Sequence, residues 1–168
     1  FLDGLFSSHS GDRKTLQAQL HWTLRITVAL CFIGHGTWGL ITKSGWLPFF
    51  ASQGIEPEIA WALQPLIGAF DILMAILLLR GTNRAILIWM FLWALWTAIL
   101  RPLAGNLEKV QIDGEWAVQL ATDSMRVAKM QTWEFWERAG NWGPSFMLLV
   151  MGGAFAITRK DLFSKYEE

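Results

Sequence analysis

The chain has one cysteine, one tyrosine and three histidines among 168 residues, and only 17% of it is charged. A single thiol, Cys31, excludes an internal disulfide and a cysteine-rich metal cluster. Soluble domains carry about 25% charge, so this chain is short of water-facing surface. Its 14 basic and 14 acidic residues cancel, and no basic face points to nucleic acid. The sequence offers no nucleophile–base pair, phosphate loop or metal-ligand spacing. It has no internal repeat and no low-complexity tract.

What it has instead is apolar length. Hydrophobic residues make up 53% of the chain. Four runs approach the roughly 20 residues that a helix needs to cross about 30 Å of hydrocarbon. The expected spans are residues 22–42, 57–79, 84–101 and 144–159, in a single membrane domain covering 1–168. The expected fold is an all-α bundle of four transmembrane helices. An extramembrane loop, 102–143, follows the third span. Eleven tryptophans accompany the runs. Trp22, Trp38, Trp46, Trp61, Trp89, Trp136 and Trp142 fall near span ends, where indole suits the headgroup boundary.

Basic residues give an orientation. One side would hold Arg13, Lys14, Arg25, Arg80, Arg84, Arg159, Lys160 and Lys165. The other would hold Lys43, Arg101, Lys109, Arg126, Lys129 and Arg138, spread over far more loop and mixed with acids. The positive-inside rule then places both termini in the cytoplasm and the large loop outside. The expected location is a bacterial inner membrane.

Local signals refine the spans. Leu16, Leu20 and Leu24 repeat at helical spacing ahead of the first span. Pro57 suits the first turn of the second helix, and Pro65 should bend it. Residues 80–84 read as a tight turn that makes the second and third spans antiparallel neighbours. Arg101-Pro102 should stop the third span, and Pro144 should start the fourth. The pairs Ala94/Ala98 and Gly152/Ala156 would allow close helix packing. In the loop, Val110 to Val118 alternates around Asp113-Gly114, the strongest short signal for a hairpin. A helix capped at residues 122–124 should follow and end at Gly140.

Two ionisable side chains sit near span midpoints: His35 in the first and Asp71 in the second. Charge in hydrocarbon costs at least about 2.5–3.5 kcal/mol, so both should face the interior, and they are expected to reach each other. On that pairing, Asp71→Asn is better tolerated than Asp71→Leu. The bland alternative is a polar link that fixes helix register. His35 is also a candidate single axial ligand for a pigment metal or a haem shared with another chain; His9 and His21 lie too far from midspan to complete a bis-histidine site. A second cluster gathers at the outer boundary: Arg101, Trp133, Glu134, Trp136, Glu137, Arg138 and Asn141. It reads either as charge pairing that ties the loop down or as a headgroup or quinone-ring site.

Three stretches resemble the DoxX-like small membrane proteins. Arg25 to Gly36 looks like their opening span. Pro65 to Arg84 looks like their second helix and turn, with Asp71 where many members carry Glu. Arg101-Pro-Leu-Ala-Gly105 and Trp133 to Pro144 look like one subgroup of that family. Residues 106–131 look like an insertion. The resemblance implies a four-helix bundle working beside redox proteins, some of them quinone-linked. It carries over no catalytic residue. The expected role is a non-catalytic accessory subunit of a respiratory or photosynthetic electron-transfer complex, with other membrane subunits and the lipid bilayer as partners. A quinone-linked subunit of the thiosulfate:quinone type and a pigment or haem holder remain as alternatives.

Overall fold

A computed structural model describes the backbone of residues 10–152 apart from Thr82, and side chains from Thr15 onward. Six helices and one hairpin follow in order: α1 (Ser10–Leu40), α2 (Leu47–Ala51), α3 (Pro57–Arg80), α4 (Arg84–Ala104), β1 (Leu107–Ile112), β2 (Glu115–Leu120), α5 (Ser124–Glu137) and α6 (Ala139–Met151). Among the described residues, α3 and α4 are long and apolar enough to cross a membrane. At 24 and 21 residues they extend about 36 and 32 Å. Thr15–Leu40 qualifies only together with Ser44–Ala51, across a 104° bend. The described chain therefore carries two helices long and apolar enough to cross a membrane, or three such spans if the bent pair counts as one. Leu30, Leu66 and Leu92 are more than half exposed on their helices, as side chains facing lipid are.

The predicted pre-span helix and first span form one continuous helix, α1. It breaks where Thr42 adopts φ +53°, the left-handed region. The Gln64 side chain fixes the break by accepting from the Lys43 backbone N–H at 2.7 Å. Pro48 then opens α2 at its first turn, where the missing N–H leaves no bond unmade. Pro57 does the same for α3, which runs unbroken through Pro65.

Two helix boundaries differ from expectation. Pro102 does not stop α4, which runs on to Ala104 before Gly105 turns at φ +57°; a proline this near the end removes a single ladder bond. The last helix does not begin at Pro144. It begins at Ala139, directly after α5 ends at Glu137, so Gly140 and Pro144 lie inside α6. Within the described residues α6 has 13 residues, too few for a span. The rest of the expected fourth span, with Ala156 and the basic run at 159–160, lies outside the described residues.

The helices pack in the order α3–α1–α6–α4. The α1–α3 seam is the most extensive contact, and it is built on glycine. A Cβ on Gly36 would lie 2.6 Å from the Gly68 carbonyl oxygen, so the two backbones meet directly, as small residues allow in lipid. By contrast α3 and α4, joined by the expected tight turn, touch only slightly. Phe70 meets Trp89 edge-on there, with centroids 4.8 Å apart.

The core fills the turn end of this arrangement. Phe32, Ala75, Leu78, Met90 and Leu148 are fully buried together. Ala94 and Ala98 are buried as their spacing predicted. At the other end lie α2, the hairpin and α5. Asp113 (φ +52°) and Gly114 (φ +88°) form the predicted two-residue turn, with Ile112 opposite Glu115. Lys109 ties the hairpin to the base of α2, donating to Ser44 Oγ at 2.7 Å. Asp123 caps α5 by accepting from the Arg126 N–H.

Candidate functional site

The slight α3–α4 contact leaves a cavity of about 370 Å³ at the α2 end of the bundle. Cys31, Phe32 and His35 of α1 form its back wall. Ile67 and Asp71 of α3 face Trp93, Trp96, Thr97 and Leu100 of α4 across it. Trp46, Phe49 and Phe50 roof it, brought there by the bend between α1 and α2. Arg101, Arg138 and Asn141 line it as well. The cavity is thus mostly apolar, with a few convergent polar groups, which is the ordinary composition of a small-molecule site.

Both intramembrane residues named from sequence line this cavity, but they do not bond to each other. His35 sits between its own helix and the α5–α6 junction. Its Nδ1 donates to the Cys31 carbonyl at 2.9 Å. Its Nε2 faces Arg138 Nη1 at 2.5 Å. A guanidinium only donates, so Nε2 accepts and the ring is the neutral Nδ1–H tautomer. Both nitrogens are then occupied. Axial ligation of a haem or pigment metal needs one of them free, and a cation already faces Nε2. Such a group does not fit His35 in this arrangement.

Asp71 is different. It is 5% exposed, and its Oδ1 has no hydrogen-bond partner. Trp93 of α4 lines the same cavity. Among the described residues Asp71 forms no ion pair. It lies level with Gly36, whose added Cβ would come 3.3 Å from the Asp71 Cβ. A buried acceptor without a donor is costly, about 1–3 kcal/mol. The residue itself lines a space large enough for a ligand.

The boundary cluster is only partly assembled. Arg101 pairs with Glu134 and lies over the Phe49 ring, 4.1 Å from its centroid. Its Nε is buried without a partner. Arg138 and Asn141 line the cavity. Trp133 and Trp136 do not: they are 70% and 62% exposed and border a separate shallow groove on α5. Glu137 is exposed too. The reason is helical geometry. With Glu134 turned inward, Trp133 is about 100° and Trp136 about 200° around the axis.

Sequence reasoning missed the roof. No periodicity marks a five-residue helix, although Gly45 followed by Pro48 was a signal for a break and a new start. It also missed the contact between Arg138 and His35, which are 103 residues apart.

No family model, no curated protein and no solved structure matches this chain.

Proposed function

We propose that the chain is a DoxX-like, four-helix membrane subunit that holds a quinone-type ligand in this cavity, as part of a larger membrane redox complex. The observation that carries the reading is the cavity itself: aromatic walls, arginine donors on its lining, and a buried carboxyl with a free oxygen. A quinone has a flat ring for Phe49, Trp93 and Trp96, and oxygens that accept from Arg101 or Arg138. Its apolar tail can pass between α3 and α4, where the helices touch least. Quinones supply two-electron, two-proton redox chemistry when bound. In this reading the residues here bind and orient the ring, and the electron-transfer step falls to a redox partner.

In the cell, this reading sets both termini in the cytoplasm, with the cavity, hairpin and α5 at the outer side of a bacterial inner membrane. The test is extraction of the protein purified in mild detergent. Stoichiometric quinone in the extract, or saturable binding of decylubiquinone to the stripped protein, is the expected result. Neither quinone in the extract nor binding of the analogue would remove the reading.

A second reading, a purely structural accessory subunit, draws on the outer surface. Ile112, Leu120, Trp133 and Trp136 are exposed there, an unusual set of large apolar side chains for a water-facing loop. Co-purification decides it. A stable monomer with no partner in native membranes would rule it out.

A further inference from the structure

Two residues of opposite charge on the cavity lining, Asp71 and Arg101, each carry a buried atom without a partner, Oδ1 and Nε. Among the described residues Asp71 is the sole acid on the lining. Glu134 compensates Arg101 from outside the cavity, whereas Arg138 faces a neutral imidazole. The cavity therefore combines an uncompensated carboxyl at depth with arginine donors. An anionic ligand would meet the carboxyl, and a cationic one the arginines. The ligand that suits both is neutral. It must offer a hydrogen-bond donor to Asp71 and an acceptor to arginine.

A hydroquinone does this, because each hydroxyl can donate and accept. A quinone does not: its carbonyls only accept, so one facing the ionised carboxylate would set lone pair against lone pair. We infer that Asp71 determines specificity in this cavity, accepting from a ring hydroxyl so that the site prefers a hydroquinone to the corresponding quinone. This deepens the quinone-type reading above and rests on it.

The experiment uses the full chain in lipid nanodiscs and three probes: decylubiquinol, decylubiquinone, and the di-O-methyl ether of decylubiquinol. The ether keeps ring and tail but has no hydroxyl donor. Dissociation constants are read by equilibrium binding under anaerobic conditions. Wild type should bind the hydroquinone about 10- to 100-fold tighter than either other probe, the range expected for a hydrogen bond to a charged group. Asp71→Leu should abolish that preference. Asp71→Asn keeps a carbonyl acceptor and should retain part of it, which guards against a folding artefact in the leucine variant. Equal affinity of wild type for hydroquinone and ether, with the quinone still bound, would overturn the inference while leaving the quinone-type reading intact. A preference that survives Asp71→Leu would overturn it as well. Failure of all three probes to bind would overturn both.

Discussion

The two ends of this bundle are built on opposite principles. At the turn end, Ala75, Leu78, Met90 and Leu148 leave no exposed surface, and buried apolar side chains fill the interior. At the α2 end the same four helices enclose about 370 Å³ of space, whose lining includes Asp71 and Arg101, each with a buried polar atom that lacks a partner. The same chain and the same helices build both ends. A fold that can pack one half solid has no general need for a hole in the other. Protein interiors normally leave few voids larger than a water molecule, and buried polar groups are normally satisfied. The contrast marks the hollow end as a place shaped for an occupant.

The comparison can be broken by mutation. The largest effect should come from the glycine seam that braces both ends. Gly68→Leu would drive a side chain into the α1 backbone at Gly36 and Gly39. It should cost about 3 kcal/mol or more, at the upper end of overpacking effects, in detergent unfolding followed by tryptophan fluorescence. A stability equal to wild type would show that the seam is looser than described.

Next comes the direct contrast between the two ends. Leu78→Ala empties a filled site and should cost about 3 kcal/mol. Leu63 of α3 lines the cavity, so Leu63→Ala enlarges a space that is already open and should cost less than about 1 kcal/mol. Equal penalties in the same unfolding assay would mean the two ends pack alike.

Arg101→Met strands Glu134 at the cavity edge. The loss should be about 2 kcal/mol, between an exposed pair and a fully buried one. A neutral result would show that the pair is solvated and does not hold α5 to α4.

The smallest stability effect is expected at Asp71, and its sign is informative. Asp71→Leu removes an unsatisfied buried oxygen. It should leave the protein as stable as wild type or up to about 1 kcal/mol more stable. This reverses the sequence-based expectation that leucine is the worse replacement, which assumed a bond between Asp71 and His35. A clear loss of stability in the leucine variant would restore a structural role for the carboxyl.

Much of the framework was legible because it depends on local signals. The α3 start at Pro57, the Asp113-Gly114 hairpin and the Asp123 cap each follow from the conformational preference of a few adjacent residues. The burial of Asp71 followed from the cost of charge in hydrocarbon. The partners did not follow. His35 turned to Cys31 one turn back and to Arg138 far along the chain, and no spacing rule reports the second. Trp133 and Trp136 were grouped with the site because they adjoin Glu134 in sequence, yet a helix sends neighbours to different faces. Proline was read too strictly: Pro102 and Pro144 sit inside helices, because one missing bond near a terminus does not outweigh the packing around it. The short roof helix was hidden because its aromatics show no period of their own.

The central claim is that the hollow end is a ligand site, and filling it is the most direct test. Thr97 lines the cavity with its hydroxyl bonded back to the Ala94 carbonyl, so Thr97→Trp projects a large ring into the space. Titration of decylubiquinone into nanodiscs carrying wild type or this variant should show saturable binding to the first and none to the second, with both unfolding at the same denaturant concentration. Equal binding by the two would mean that the ligand, if it binds at all, sits somewhere else.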